Sequence, residues 1–203
     1  MMSPWRPSPE TVRLNYYLSA VSSMSMSRMI CVILSSPSRK GSTSTLAVAA
    51  AKAVEGADVR IHFLNGLNFR DCQGCHLCKQ GKPCPLKDDL VPVLDDVRDC
   101  DALIVAAPVY FGRATGLYCM YEDRTFKLYA EQKEPPARNA LFIVSSGAPV
   151  EHGTPTANRI RRILERGNFS TSVLLHSTRE HGLPKDNPEM LEKAREMGRA
   201  LFP

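Results

Sequence analysis

The sequence predicts an open α/β fold in which helices cover both faces of a parallel sheet. Five short apolar segments recur along the chain, and helix-forming segments separate them. Most of the apolar segments lack the polar alternation of a half-exposed strand, which is typical of parallel strands buried on both faces. Right-handed crossovers between such strands give a doubly wound sheet, in which ligands bind outside the carboxyl ends of the strands.

The predicted strands are the apolar segments themselves. The first of them, MICVIL, ends in small polar residues, as a buried strand does before a loop. The second, VRIHFLN, alternates between apolar and polar residues and is predicted to be a less buried strand. The five strands are predicted to begin at Met29, Val59, Ala102, Ala140 and Ser170.

Five helices are predicted between and after these strands. The first is rich in alanine, which has the highest helix propensity. Asp88 and Asp89 are suited to cap the second, because a carboxylate can accept hydrogen bonds from first-turn amides. Pro188 suits the first turn of the last helix. The predicted helices cover residues 43–54, 89–98, 116–131, 155–167 and 188–201.

The composition is that of one globular domain. The 203 residues are 43% hydrophobic and 23% charged, with a net charge of +5. The chain has no long run of lysine and arginine, so nucleic acid is not an expected partner. It also has no run of about eighteen apolar residues, so neither a transmembrane helix nor a membrane partner is expected.

Cysteine usage indicates a reducing compartment. The seven cysteines are odd in number and four of them are clustered, which argues against the disulfide framework of a small secreted domain. We therefore expect a cytoplasmic protein. Cys31, Cys100 and Cys119 lie in apolar segments and are predicted to be buried structural residues.

Residues 1–28 are predicted to be an N-terminal extension that precedes the folded domain. They contain two early arginines, Arg6 and Arg13, many serines and one acidic residue, Glu10, which is the composition of a transit-like peptide. A poorly ordered extension is the simpler interpretation, and both remain open. The folded domain is then expected over residues 29–203, with a cysteine-rich insert at 72–84.

The loop after the first strand, SSPSRKGSTS, has the composition of a phosphate site. Gly41 gives it flexibility, Arg39 and Lys40 give it positive charge, and it leads directly into a helix N-terminus, where amides and the helix dipole attract anions. The loop matches neither the P-loop nor the Rossmann dinucleotide fingerprint. Its hydroxyl-bearing residues are Ser35, Ser36, Ser38, Ser42, Thr43 and Ser44.

Two further loops are expected at the same edge of the sheet. The loop after the third strand, APVYFGRATG, presents Tyr110 and Phe111, which could pack against a planar ligand, while the backbone from 109 to 113 binds its polar edge. The loop after the fourth strand could close the pocket with Ser145, Ser146 and Gly147. Two acid–base candidates in that loop, Glu151 and His152, are more simply explained as exposed polar residues.

The cysteine cluster has the spacing C-x2-C-x2-C-x5-C, formed by Cys72, Cys75, Cys78 and Cys84. Four thiolates suit a [4Fe–4S] cluster, and short C-x2-C-x2-C runs are typical of such sites. Gly74 and Gly81 allow the tight turns that a cluster requires. Zinc also accepts four thiolates, but its sites usually pair two C-x2-C units across a longer gap. The inserted His76 is expected to be a neighbour rather than a ligand.

These motifs together resemble the flavodoxin-like NADPH-dependent FMN reductases. ILSSPSRKGSTSTL is similar to the phosphate loop of that family, and APVYFGRATG with the following Asp123-Arg124 is similar to its flavin-ring loop and helix. DCQGCHLCKQGKPCPLKDDL resembles the cysteine segment of the iron–sulfur flavoprotein branch. The resemblance implies a five-stranded sheet of order 2-1-3-4-5, FMN as cofactor and NAD(P)H as co-substrate.

Residue by residue, the resemblance implies two parts of an FMN site. The phosphate would be bound by Ser36, Ser38, Ser42, Thr43 and Ser44. The isoalloxazine ring would be lined by Pro108, Val109, Tyr110, Phe111 and Gly112. Similar reductases with the same cysteine pattern can lack a cluster, so structural or redox-active thiols are a further alternative.

The chain departs from the family pattern at two places. Ser38 stands where members often have arginine and Ser42 where many have asparagine, so any cation at the phosphate would have to be Arg39. The helix segment LYCMYEDR is bulkier and less basic than usual, which affects the substrate pocket and the subunit contact. A homodimer or homotetramer is expected by analogy alone.

The sequence therefore favours an FMN-dependent oxidoreductase that passes electrons from NAD(P)H or a reduced carrier to a small-molecule or protein acceptor. No catalytic side chain is required, since the protein binds, orients and tunes the cofactor. A flavodoxin-like electron carrier without turnover is one alternative. A specialised flavin-dependent enzyme that acts on one metabolite is another, and a regulatory nucleotide- or redox-sensing protein is a third.

Overall fold

The computed structural model describes residues 27–131 and 136–202. Of the predicted extension over residues 1–28, residues 1–26 lie outside the described residues. Ser27 and Arg28 lead into the first strand, and the Ser27 hydroxyl donates to the Gly56 carbonyl at 3.0 Å. Within the described ranges, no helix combines the length and the apolar character needed to cross a membrane.

Five parallel strands form the sheet, in the order β2-β1-β3-β4-β5. Their apolar runs place them in the interior, and β1 is buried from its second residue to its last. The predicted fold class and strand order are confirmed, and each strand begins within two residues of its predicted start. The strands are β1 (Met29–Leu34), β2 (Asp58–Phe63), β3 (Ala102–Tyr110), β4 (Arg138–Ser146) and β5 (Phe169–Ser177).

The helices lie close to their predicted positions and differ from them by a few residues at their ends, where capping rather than periodicity decides the boundary. A one-turn helix after β5 was not predicted. It forms because the Ser177 side chain accepts hydrogen bonds from the Arg179 and Glu180 amides. The helices are α1 (Ser42–Lys52), α2 (Leu90–Asp99), α3 (Gly116–Glu131), α4 (Thr154–Arg166), α5 (Thr178–His181) and α6 (Pro188–Arg199).

Two apolar layers lie on opposite faces of the sheet, as the doubly wound fold requires. On one face, Leu46 of α1 and Ala194 of α6 pack in a cluster with Ile104 of β3. The other face is covered by α2, α3 and α4, whose core residues include Leu94, Tyr121 and Ile160. Burial on both faces explains why the central strands show no polar alternation.

A short antiparallel strand, Arg113–Ala114, extends the sheet beyond the end of β3 and was not predicted. Tyr110 pairs with Arg113 across a two-residue turn made by Phe111 and Gly112. Both turn residues have positive φ, 51° and 74°, as a type I′ hairpin turn requires. The sequence signal for this turn is weak, because phenylalanine rarely adopts a left-handed conformation.

Helices α1 and α6 approach so closely that a glycine is required between them. A Cβ atom added at Gly198 would overlap the Ala50 carbonyl group and lie 2.6 Å from its carbon atom. Such a contact is well inside van der Waals distance, so one backbone would have to move. The alanine-rich composition of α1 serves the same packing, since Ala47, Ala50 and Ala51 are fully buried.

Replacing Gly198 by alanine is expected to lower the free energy of unfolding by about 1–3 kcal/mol, because the added methyl group forces α1 and α6 apart. Urea unfolding followed by circular dichroism measures the change. Gly116→Ala is the matched control, since nothing lies within 4 Å of a Cβ added there. Equal stability of the two variants would contradict the close helix packing.

Candidate functional site

Three loops meet at one edge of the sheet because they follow three adjacent parallel strands. β1 lies beside β3, with Leu34 opposite Ala106, and β3 lies beside β4, with Pro108 opposite Ser145. The loops that follow are the serine-rich loop (residues 35–44), the aromatic loop (108–112) and the Ser145–Gly147 turn. The structure thus brings together the predicted residues of all three loops.

The serine-rich loop holds its shape through hydrogen bonds between its own residues. The Ser38 amide donates to Ser36 Oγ and the Lys40 amide donates to Ser38 Oγ, both at 3.2 Å. Because these two hydroxyl oxygens accept, their O–H groups remain able to donate to a ligand. Ser44 instead donates its hydroxyl to the Ser38 carbonyl at 3.0 Å, so its side chain shapes the loop.

The first turn of α1 offers amides at the end of this loop. Gly41 is the N-cap residue and no side chain caps the helix. The amides of Ser42, Thr43 and Ser44 have no carbonyl partner within the helix, because the first turn of any α-helix lacks one. Together with the positive end of the helix dipole, this arrangement suits a phosphate.

Two residues of the loop itself, Arg39 and Lys40, carry positive charge, and both are exposed. The Arg39 guanidinium carbon lies 4.3 Å from the centre of the Phe63 ring, which fixes the side chain against β2. Gly41 is closely surrounded, since a Cβ there would lie 3.0 Å from Ser36 Oγ. The glycine therefore lets the loop fold tightly over its own serines.

The aromatic loop projects from the edge of the sheet. Pro108 is buried and Val109 half-buried, whereas Tyr110 is 49% exposed and the Phe111 side chain is entirely exposed. Phe111 also holds a left-handed backbone, which costs on the order of 1 kcal/mol for a residue other than glycine. An exposed aromatic ring on a strained turn indicates a surface that binds something flat or apolar.

Ser145 is buried and its hydroxyl is used inside the protein. Its Oγ atom lies 2.7 Å from Nδ1 of His176, whose Nε2 atom lies 3.1 Å from the Gly182 carbonyl. The carbonyl requires Nε2 to carry the proton, so Ser145 donates to Nδ1. Burial lowers the pKa of His176, which keeps this imidazole neutral. Gly147 is exposed at the end of the turn.

The two acid–base candidates lie in the short helix Val150–Gly153, and both Glu151 and His152 are exposed there. No hydrogen bond is seen from either side chain to the serine-rich or aromatic loops among the described residues. Their surroundings are those of exposed polar residues, as the simpler interpretation expects.

The cysteine segment (residues 72–84) lies next to α3 and α4. Its four cysteines line one cavity of about 420 Å³ together with residues of these two helices. Cys72 and Cys75 are exposed, and Cys78 and Cys84 are half-buried. Gly74 and Gly81 both have positive φ, 62° and 70°, as the predicted tight turns require.

The donor set of this cavity suits an iron–sulfur cluster, since it consists of four thiols. The thiols surround the cavity rather than a common point. Over residues 27–131 and 136–202, no three histidine, cysteine or acidic side chains are arranged to hold a single metal ion. The fit to a cluster is therefore one of residue type and of a shared cavity, and binding a cluster would require the four thiols to converge.

Arg124 ties both ends of the cysteine segment to α3, a role that the sequence did not predict. Its buried guanidinium donates to the Arg70 carbonyl at 2.8 Å and to Asp88 at 2.7 and 3.2 Å. Asp88 in turn accepts from the Arg70 and Leu90 amides at 3.1 and 3.3 Å. The predicted cap at Asp89 instead accepts from the Asn68 amide at 2.8 Å.

Arg124, Asp88 and the Arg70 carbonyl form a clamp that joins the two ends of the cysteine segment, and the charge of Asp88 is stabilised within it. Burial opposes ionisation, but the Arg124 hydrogen bonds, the Arg70 and Leu90 amides and the Arg124 charge outweigh it and lower the pKa of Asp88. The segment between Arg70 and Asp88 is therefore a loop whose two ends are pinned to one side chain.

Glu122 is the second charged residue of α3 that the sequence left without a role. It is 5% exposed, and its Oε2 atom accepts a hydrogen bond of 2.9 Å from Nε of Arg159 and a second from Nη2. Its spacing from the apolar Tyr118 was the available signal, because residues four apart share a helix face. Charge at such a buried position is unusual and indicates a built polar site.

A model of the NADPH-dependent FMN reductase family matches residues 29–177 of the chain. An iron-sulfur flavoprotein of Archaeoglobus fulgidus is 31% identical over 121 residues, which are 58% of this chain and 59% of that protein. Iron-sulfur flavoprotein MJ1083 of Methanocaldococcus jannaschii is 33% identical over 95 residues, 46% of this chain and 49% of the relative. The chain thus spans about half the length of the curated relatives it matches.

Solved structures share the fold. The NAD(P)H:quinone oxidoreductase from Methanothermobacter marburgensis has a TM-score of 0.66 at 18% identity, over 87% of this chain and all of that one. A flavodoxin from the domain Archaea has a TM-score of 0.52 at 15% identity, over 86% and 95% of the two chains. Because the family model covers more than half of the sequence, this chain belongs to the NADPH-dependent FMN reductase family.

Proposed function

We propose that this chain is an FMN-dependent oxidoreductase that passes electrons from NAD(P)H or a reduced carrier to a small-molecule or protein acceptor. The observation that supports it best is the pairing of an uncapped helix N-terminus with an exposed aromatic loop at one edge of the sheet. The helix N-terminus suits a phosphate and the aromatic loop suits a flat ring, and FMN contains both groups. Family membership supports the same proposal.

The serine-rich loop is proposed to bind the FMN phosphate. Ser36 and Ser38 would donate through hydroxyl groups whose oxygens already accept from loop amides. The amides of Ser42, Thr43 and Ser44 would donate from the first turn of α1, and Gly41 lets the backbone approach. Arg39 would supply positive charge. Hydrogen bonds to a charged group are each expected to contribute about 1.5–3 kcal/mol.

The aromatic loop is proposed to bind the isoalloxazine ring. Pro108, Val109 and Gly112 would line it with backbone, while Tyr110 and Phe111 would cover it and exclude water. Ser145 is assigned a supporting part, because its hydroxyl is engaged with His176 and is not free to bind a ligand. Gly147 would close the pocket at the end of β4.

The chemistry belongs to the cofactor, and the chain supplies binding and orientation. FMN, when bound, supplies the capacity to accept a hydride and to release electrons singly. The loops hold the ring at the edge of the sheet, where a nicotinamide or an acceptor can reach it. Neither Glu151 nor His152 is required as an acid or base, and both lie exposed outside the three loops.

The cysteine segment is proposed to hold a [4Fe–4S] cluster on Cys72, Cys75, Cys78 and Cys84. Such a cluster would supply one-electron transfer between the flavin and an acceptor. The proposal is supported by four thiols lining one cavity and by relatives whose names describe iron-sulfur flavoproteins. Zinc and metal-free thiols are the alternatives that metal analysis distinguishes.

A cytoplasmic location and assembly into a homodimer or homotetramer are part of the proposal. The exposed Phe111 ring supports assembly, because a second subunit could cover it together with the flavin. The odd number of cysteines, with four of them clustered, supports a reducing compartment.

Replacing Ser42 and Thr43 together by alanine is expected to weaken FMN binding by about tenfold or more, because the hydroxyl groups of both residues are lost as donors to the phosphate while their backbone amides remain. Quenching of flavin fluorescence on titration measures the affinity. Oxidation of NADH or NADPH by the variant should fall at limiting FMN and recover at saturating FMN.

The double variant Ser170→Ala/Ser172→Ala is the matched control, since both serines are exposed on β5 and lie outside the three loops. Unchanged FMN affinity in the Ser42/Thr43 variant would contradict the phosphate assignment. If neither NADH nor NADPH reduces the flavin of the unmodified protein, the proposal of an NAD(P)H-dependent enzyme is contradicted and an electron carrier is favoured.

Protein purified without oxygen is expected to contain about four irons and four acid-labile sulfides per chain. Replacing Cys75 by serine should lower both contents strongly, because one of four thiolate ligands is removed. Cys119→Ser is the control, as that cysteine lies outside the segment. Flavin without iron would contradict the cluster, and a single zinc ion would favour a structural metal site.

Arg124→Met is expected to free the ends of the cysteine segment, because it removes three hydrogen bonds and leaves Asp88 without its charged partner. Hydrogen exchange of the metal-free protein should become faster at the Arg70 and Leu90 amides. Lys127→Met is the control, since that ammonium group lies 4.0 Å from Glu131 alone. Equal protection in both variants would disprove the clamp.

A further inference from the structure

A second cavity, of about 210 Å³, lies between the sheet and helices α3 and α4. Its walls are largely apolar and aromatic. They include Tyr118, Tyr121 and Leu128 from α3, Leu103 and Val105 from β3, and Phe169 from β5. Its volume exceeds the 150 Å³ or so at which an engineered apolar cavity in another protein binds benzene.

This cavity is distinct from the proposed flavin loops. It extends toward the amino ends of the strands, since Arg138 and Phe169 are the first residues of β4 and β5. The flavin loops follow the carboxyl ends of the strands. The nine-residue strand β4 spans roughly 26 Å between these two edges, at about 3.3 Å per residue.

Two buried polar atoms in the cavity wall have no hydrogen-bond partner among the described residues, Oε1 of Glu122 and Nε of Arg138. Other atoms of each group are engaged, and the Tyr118 side chain interacts with the Glu122 carboxylate. Oε2 of Glu122 accepts from Arg159, and Nη1 of Arg138 donates to the Val97, Arg98 and Cys100 carbonyls. An unpaired buried polar atom is costly, so each indicates a ligand group or a water at that position.

We propose that this cavity binds a single-ring phenolic compound, whose ring packs between Tyr118, Leu128 and Phe169 and whose hydroxyl donates to Oε1 of Glu122. One aromatic ring fits the volume, and the apolar walls suit it. A carboxylate oxygen accepts a hydroxyl donor strongly. Nε of Arg138 is a separate donor in the same cavity wall and suits a water or a second acceptor on the ligand.

The cysteine cavity lies directly beside this one. Five residues line both cavities: Glu122, Thr125, Tyr129, Ile163 and Arg166. Only side chains therefore separate the two spaces. Arg159, which lines the cysteine cavity and holds Glu122, is 63% exposed, whereas the Glu122 side chain is buried. Movement of Arg159 into solvent would leave the Glu122 carboxylate without its charged partner, so this ion pair keeps the boundary between the two cavities closed.

The test uses ¹⁹F NMR titration of the full-length protein with its cofactors, with 4-fluorophenol and fluorobenzene as probes. Saturable binding is expected for both, with 4-fluorophenol bound about tenfold or more tightly because only it donates to Glu122. Glu122→Leu should abolish this preference and keep fluorobenzene binding. Asp123→Asn, an exposed neighbour on the same helix, should leave the preference unchanged.

Filling the cavity with Val105→Phe should abolish binding of both probes. Leu128→Phe is the substitute variant if Val105→Phe lowers the melting temperature so far that the protein is not folded under the conditions of the titration. Absence of binding to the unmodified protein would show that the cavity holds water only and would overturn the proposal. So would an unchanged preference in Glu122→Leu, or binding that survives in a folded cavity-filled variant, since the probe would then lie elsewhere, as on the flavin.

Discussion

Ser35 joins the two loops on which the proposed cofactor site depends. Its amide and its hydroxyl both donate to the Ala106 carbonyl at 3.0 Å, and its own carbonyl accepts from the Thr115 hydroxyl at 3.1 Å. The end of β1, the middle of β3 and the start of α3 are thereby fixed to one buried residue. These hydrogen bonds hold the proposed phosphate-binding and ring-binding loops at a fixed separation.

Helix α3 carries that rigidity to the rest of the domain. Its first turn is set by Thr115, which accepts from the Tyr118 amide at 3.2 Å. Further along, Glu122 faces the interior cavity and Arg124 holds the cysteine segment. The three regions share one helix, so a displacement of α3 by a partner or ligand at one of them acts on the other two.

The sequence predicts the fold well because the fold follows from local patterns. Runs such as MICVIL and ALIVAAPVY identify the strands, and the parallel order places their loops at one edge. The site is predicted only in its outline. The residue types of the serine-rich loop indicate a phosphate, but the engagement of Ser145 with His176 depends on two strands meeting in space.

Long-range pairings explain what the sequence does not reveal. Arg124 and Asp88 are 36 residues apart in the chain, and the sequence around either residue does not indicate that the two form a pair. The left-handed conformation of Phe111 contradicts the propensity of the residue and is imposed by the hairpin around it. The interior cavity is a property of packing between α3, α4 and the sheet, which no local pattern encodes.

The contact between Gly198 and Ala50 has a consequence for biosynthesis. During synthesis on the ribosome, the serine-rich loop and α1 are made early, whereas α6 is the last helix to be made. The alanine-rich face of α1 that packs against α6 therefore stays exposed to water until synthesis of the domain is almost complete. Only then is α1 covered both by the sheet and by its neighbouring helix. The serine-rich loop therefore gains its final support only after translation is almost complete, and a nascent chain stalled before α6 would expose the loop on a helix that is not yet packed.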